Sequence, residues 1–224
     1  MQPRTPNKHP TNSKYHTSKM STAFAVIPKS TSNSWFDDVQ LGCIQAATEL
    51  NVTCHYIGTT HEDSAAQASL VDELIDSGNY AGLSISVIDA TSASGAIARA
   101  REAGMFVVTF DSDAPGSKRQ AYIGTDNLAF GNHLGKVLLQ IDPTGGTYGI
   151  ITGAGPNLRD RERGLREKLE GSKWVEALNG SPKYCMDDTE MALDQSEWIG
   201  YFSLVLHLAL YSYSQLDPLR YLRS

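Results

Sequence analysis

The residue types best suited to hold a small polar molecule fall in a few short stretches of the sequence. Lys29, Asn33, Trp35 and Phe36 lie close together; Ser86 follows a short apolar run; Asp111, Ser112 and Asp113 follow Phe106-Val107-Val108-Thr109-Phe110; Arg161 sits within Arg159-Asp160-Arg161-Glu162-Arg163. Carboxylates accept hydrogen bonds from hydroxyls, amides and guanidinium groups donate them, and aromatic rings cover apolar C–H faces. Such a set suits a polyhydroxylated ligand. A hydrogen bond to a charged partner contributes about 1.5–3 kcal/mol net, so a few bonds from Asp111 and Arg161 would carry much of the specificity. Each residue also has a structural alternative. Asp111 fits a helix or turn cap, Arg161 fits a solvated charged helix face, and Trp35 and Phe36 fit core positions at the start of a helix.

Catalytic chemistry fails on spacing. Gly153-Ala154-Gly155-Pro156-Asn157-Leu158 has leucine where a dinucleotide fingerprint needs its third glycine. Between Gly131 and Gly135 stand only three residues, and Val137 follows Lys136 where a phosphate loop needs Ser or Thr. No serine sits in a GxSxG elbow. Asp111 and Asp113 lack a third carboxylate nearby, so no metal is expected, and no cofactor.

The elements that must position these residues alternate in type. From Ala23 onward short apolar runs are followed by helical patterns, which predicts a parallel sheet covered by helices. Strands are expected at Phe24–Pro28, Cys54–Ile57, Gly82–Ile85, Phe106–Phe110, from Tyr122, and at Tyr148–Thr152. The first helix is expected to present Phe36, Val39, Cys43, Ile44, Ala47 and Leu50 on one apolar face. A later helix would bury Leu158, Leu165 and Leu169 and turn its arginines outward. The fold class is therefore α/β: a Rossmann-like parallel-sheet lobe flanked by helices, plus a partial second α/β lobe. In open sheets of this kind ligands bind beyond the carboxyl ends of the strands, where every residue of the opening set falls.

Four segments are expected along the chain: an arm at 1–22, a first lobe at 23–126, a partial second lobe at 127–195, and an atypical apolar tail at 196–224. The arm carries Arg4, Lys8, Lys14 and Lys19 without an acidic residue, among Pro, Ser, Thr and Asn, which predicts disorder. It lacks the apolar core of a secretory signal. The tail holds an apolar stretch from Trp198 to Tyr213, shorter than the roughly 20 residues of a membrane span, and is expected to need a protein surface rather than to contact a membrane. A net charge of −6 argues against a nucleic-acid surface, and a 41% hydrophobic content supports a real core. The three cysteines, Cys43, Cys54 and Cys185, have no metal or redox spacing and are expected as buried, unpaired apolar residues.

Four motifs occur in a familiar order: Phe24-Ala25-Val26-Ile27-Pro28-Lys29 with Asn33-Ser34-Trp35-Phe36; Val108-Thr109-Phe110-Asp111-Ser112-Asp113; Tyr122-Ile123-Gly124-Thr125-Asp126-Asn127; and Arg161-Glu162-Arg163-Gly164. Over about residues 23–170 the chain resembles the sugar-binding periplasmic proteins of ABC importers, of ribose, rhamnose or autoinducer-2 type, which have the type I periplasmic-binding-protein fold. The resemblance implies a two-lobed clamshell that closes on a monosaccharide-like ligand outside the cytoplasm and delivers it to an ABC permease. It implies ligand contacts from Asn33, Trp35, Phe36 and Asp111 in the first lobe and Arg161 in the second, with Asp126 and Asn127 at a hinge crossing. Ser86 replaces the family's asparagine after the third strand. Ser112 stands where ribose binders have arginine, which points away from ribose; Lys29 and Asp111-Ser112-Asp113 are closer to the autoinducer-2 or rhamnose type. The family's second lobe is comparable in size to the first, whereas about 70 residues follow Asp126 here before the pattern fails, which implies an incomplete second lobe. The effector domain of lactose-repressor-type regulators shares the fold, but the N-terminal arm is too short and Pro-rich for a helix-turn-helix.

Overall fold

A computed structural model describes residues 23–177, 181–185 and 189–199, with only the backbone of Thr189 and of 196–199; the expected arm at 1–22 and the tail beyond Ile199 lie outside the described residues. The first lobe is one continuous parallel sheet. Its strands are β1 (Ala23–Ile27), β2 (Thr53–Tyr56), β3 (Tyr80–Ile85), β4 (Phe106–Phe110) and β5 (Ala121–Ile123), in the order β2-β1-β3-β4-β5. The order reverses at β1, so the crevice beyond β1 and β3 is the place where such sheets leave room for a ligand.

Three helices connect these strands: α1 (Asp37–Leu50), α2 (Ser64–Ser77) and α3 (Ala90–Glu102). Asp63 caps α2 by accepting from the Ala66 N–H at 2.9 Å, and Gly78 ends it at φ +63°, a left-handed turn that favours glycine. On α3, Ala93, Ala96, Ile97 and Ala100 recur at one-turn spacing and are all buried. They pack with Val71 and Leu74 of α2 against Ala25, Ile27, Leu83, Ile85 and Val107 of the sheet. The other sheet face is less well covered. The apolar face expected on α1 buries Phe36 and Cys43 but leaves Ile44 56% and Leu50 70% exposed.

The expectation of three unpaired cysteines is corrected. Cys43 on α1 and Cys54 on β2 form a disulfide, while Cys185 stays a buried thiol outside it, its Sγ 3.5 Å from the Thr152 carbonyl. The pairing follows from the tight connection: α1 ends at Asn51 in a left-handed conformation and β2 begins at Thr53, which returns the chain alongside the helix.

The second lobe begins with α4 (Asn127–Ile141) and continues with β6 (Gly146–Tyr148), β7 (Ile151–Thr152), α5 (Pro156–Leu169), β8 (Trp174–Glu176), β9 (Lys183–Tyr184) and α6 (Thr189–Ile199). β6 pairs with β8 and β7 with β9, both in parallel. The single strand expected at Tyr148–Thr152 is therefore two. The Ile150 N–H donates to the Ser181 hydroxyl at 3.0 Å instead of a neighbouring strand, and pairing changes partner there. Leu158, Leu165 and Leu169 are buried as expected, the last two beside Leu138, Tyr148, Ile150 and Trp174. α4 and α5 touch backbone to backbone: a side chain at Gly131 would overlap the Arg161 carbonyl, and one at Gly164 the Leu128 carbonyl.

Candidate functional site

The loops at the carboxyl ends of β1, β3 and β4 meet in a polar cluster. Lys29, 4% exposed, lies with its Nζ 3.6 Å from Asp111 Oδ2. Ser86, fully buried, donates its hydroxyl to the same oxygen at 2.7 Å. From the second lobe, Asn157 on the first turn of α5 accepts from Lys29 Nζ at 3.2 Å and donates to Asp111 Oδ1 at 3.3 Å. A buried lysine, a partly buried carboxylate and two buried polar groups thus satisfy one another, the condition under which such groups are tolerated away from water.

The backbone aims Asp111 into this cluster. Its φ is +56°, and the Ser112 N–H donates to the Phe110 carbonyl at 2.5 Å, a γ-turn centred on the aspartate. A non-glycine residue in the left-handed region is strained, and such strain concentrates at functional sites. The turn is braced: the Tyr122 hydroxyl reaches the Asp111 carbonyl at 2.8 Å and the Thr125 carbonyl at 3.1 Å. Burial, followed by the charge of Asp111, raises the Tyr122 pKa above the ordinary phenol value, so the hydroxyl keeps its proton. Gln67 of α2 ties the floor together. Its amide donates to the carbonyls of Pro28 at 3.3 Å and Ser86 at 2.8 Å and accepts from the Ile88 N–H at 3.2 Å, joining the loops after β1 and β3.

The remaining residues of the expected set are placed as follows. Asn33 caps a 3-10 turn (Ser34–Phe36) by accepting from the Trp35 N–H at 3.0 Å. Trp35 stacks edge-on to Phe36 with centroids 4.7 Å apart, and Phe36, 2% exposed, meets Phe110 at 6.2 Å. Ser112 is fully buried, and its hydroxyl has no hydrogen-bond partner among the described residues. Asp113 is engaged elsewhere: it binds Arg119 at 2.6 Å, the Thr109 hydroxyl at 2.6 Å and the Ala114 N–H at 2.8 Å. Burial pushes its carboxyl upward, but those donors together hold it below the usual carboxylate range. Asp126 caps α4 by accepting from the Ala129 N–H at 2.9 Å.

Arg161 reaches the cluster through intermediaries. Its Nε donates to Asn127 Oδ1 at 2.7 Å, its guanidinium lies 4.8 Å over the Phe130 ring, and the Asn127 amide donates to the Tyr122 hydroxyl at 3.3 Å. The structure thus brings Lys29, Ser86 and Asp111 together, connects Arg161 and Asn127 to them through Tyr122, and turns Asp113 and Asp126 to other tasks. Sequence reasoning overlooked Asn157, Tyr122 and Gln67 as site residues. Asn157 carried a signal: it follows Gly155-Pro156 just beyond a second-lobe strand, in the same stretch from Gly153 to Arg161 that supplied Arg161. The described residues contain no group of three or more His, Cys, Asp or Glu able to hold a metal ion.

Comparison with known proteins finds relatives of the fold. A family model described as a periplasmic binding protein domain matches residues 24–199. The D-allose-binding periplasmic protein of Escherichia coli (strain K12) is 25% identical over 170 residues, covering 71% of this chain and 54% of its own length. The solved structure of an ABC transporter solute-binding protein from Burkholderia graminis in complex with D-arabinose is 30% identical with a TM-score of 0.71, and the match covers 79% of this chain and 61% of that one. The LsrB protein of Clostridium saccharobutylicum in complex with AI-2 shares the fold at a TM-score of 0.70 and 21% identity, over 82% of this chain and 61% of its own. The chain thus spans little more than half the length of these relatives. With a model match across most of its length and the parallel-sheet fold of its relatives, the chain belongs to the periplasmic binding protein domain family.

Proposed function

We propose that this protein binds a monosaccharide or a similar polyhydroxylated small molecule, without turning it over, and serves an ABC-type importer. The observation that carries the reading is the cluster of Lys29, Ser86, Asp111 and Asn157, drawn from both lobes and set beyond the carboxyl ends of β1, β3 and β4. A buried cation and a partly buried carboxylate side by side match the lone pairs and the proton of a neutral hydroxyl. The half-buried Trp35 supplies an aromatic face close by, with Phe36 behind it. Asn33, Ser112, Asp113 and Arg161 remain proposed members of the site, the last through Asn127 and Tyr122, and Asp126 and Asn127 a proposed hinge.

Two relatives at 25–30% identity favour sugar as the ligand class, since one is named for D-allose and the other was solved with D-arabinose. The Cys43–Cys54 disulfide fits an oxidising compartment outside the cytoplasm. Calorimetric titration with D-allose, D-arabinose, L-rhamnose and autoinducer-2 tests the reading. Heat and a thermal shift with at least one of them are expected. Silence from all four in both measurements would remove sugar binding and leave only the family membership.

A further inference from the structure

A side chain of the protein itself bridges Lys29 and Asp111, alongside their direct contact of 3.6 Å from Nζ to Oδ2. A hydroxyl group accepts and donates through a single oxygen; the Asn157 amide does both through two atoms. Its Oδ1 accepts from Lys29 at 3.2 Å and its Nδ2 donates to Asp111 Oδ1 at 3.3 Å, a junction between residues 128 apart in sequence. The other carboxylate oxygen of Asp111 is already served by Ser86, so the Asn157 position is where Oδ1 meets its donor. The approach is close because Gly155 has no side chain: a Cβ there would lie 2.7 Å from Asn157 Oδ1 and 2.8 Å from Lys29 Nζ.

We propose that Asn157 is a built-in stand-in for a ligand hydroxyl, holding the lobes together without ligand, and that the group recognised between Lys29 and Asp111 is a neutral hydroxyl that displaces it. The proposal rests on the solute-binding reading and deepens it. The chemistry of the pair sets the class. An ether or carbonyl oxygen accepts from Lys29 but has no proton for Asp111. A carboxylate accepts from Lys29 but repels Asp111, and an ammonium does the reverse. Only a group with lone pairs and a proton replaces the amide at both the Lys29 ammonium and Asp111 Oδ1, leaving neither hydrogen bond unmet. Because the amide must leave first, every ligand's apparent affinity is lowered by the same factor, the fraction of protein whose cleft is free.

The test uses the full chain as wild type, Asn157→Ala and Gly155→Ala, the last a wedge that removes neither partner. Circular dichroism verifies folding, X-ray scattering without ligand reads closure, and calorimetry reads the affinity of D-arabinose, D-allose and their singly deoxygenated analogues. Both variants are expected to show a larger ligand-free radius of gyration. Asn157→Ala is expected to bind the parent sugar about threefold to tenfold tighter, and the deoxy analogue that loses the Lys29–Asp111 hydroxyl tighter by the same factor, so that their ratio stays put. Weaker binding of the parent sugar, or a collapse of that ratio, would make Asn157 a direct ligand contact and overturn the proposal; so would unchanged scattering in both variants. Should wild type bind none of the sugars, the solute-binding reading falls separately. The scattering comparison then still decides the latch: expansion in both variants supports it, and no expansion overturns it.

Discussion

The two lobes are built from the same kinds of element and held together differently. In the first, five parallel strands form one sheet and α2 and α3 seal one face with a continuous apolar core that includes Ile27, Ile85, Ile97 and Val107. In the second, among the described residues, the strands fall into two pairs, and the apolar cluster is six buried residues around Leu138 and Trp174. Its order comes from elsewhere: the glycine contact of α4 with α5, and Arg166, which binds Glu176 at 2.7 and 3.0 Å and Glu162 at 3.1 Å. The difference teaches that the lobe contributing Lys29, Ser86 and Asp111 is braced by a continuous core beneath one face of a single sheet. The lobe contributing Asn157 is positioned by close helix packing and ion pairs, which tolerate a change of angle better than an interlocked core does.

Changes that strike at this contrast rank in size. Ile27→Ala opens a cavity in the continuous core and is expected to cost about 3 kcal/mol, read by urea denaturation. Replacing Cys43 and Cys54 together by serine releases a loop closed over a separation of 11 residues and is expected to cost about 2.5 kcal/mol; reducing agent should lower the melting temperature of wild type but not of the double variant. Gly164→Ala drives a methyl group toward the Leu128 carbonyl and is expected to cost about 2 kcal/mol, with hydrogen exchange speeding up in α4 and α5 while β1, β3 and α3 stay protected. Equal acceleration in both lobes would erase the contrast.

The smallest effect is a pH dependence, with one group in each lobe. Glu176, like Asp113, is pushed up by burial and held below the usual carboxylate range by its donors, here chiefly Arg166 and Ser181. A carboxyl whose folded pKa is depressed contributes stability that is present above its unfolded value and lost as pH falls through the folded one. Acid should therefore weaken both lobes below the ordinary carboxylate range. Asp113→Asn should flatten that loss only in the first lobe and Glu176→Gln only in the second, as followed by amide exchange against pH.

Much of this was legible in the sequence. The apolar runs at Phe24–Pro28 and Phe106–Phe110 announce central strands because a buried parallel strand needs both faces apolar, and the rule that ligands sit beyond strand ends selected Lys29, Ser86 and Asp111. What escaped depends on distance in three dimensions. The Asp113–Arg119 pair, the Gln67 clamp and the Asn157 junction each join residues that no periodicity relates. The cysteine pairing was overlooked because three cysteines leave one over, and a rule about parity says nothing of the turn at Asn51 that returns Cys54 beside Cys43. The break at Ile150 escaped for a similar reason: its partner, the Ser181 hydroxyl, lies 31 residues on.

The proposed role of the Asp111 carboxylate, set beside Lys29, is to recognise a ligand hydroxyl. Asp111→Asn keeps the shape and removes the charge, and calorimetric titration with the sugar that binds wild type reads the consequence. A loss of about 1.5–3 kcal/mol, about 10- to 150-fold in affinity, is predicted. An affinity within about twofold of wild type, in a folded variant, would contradict the account.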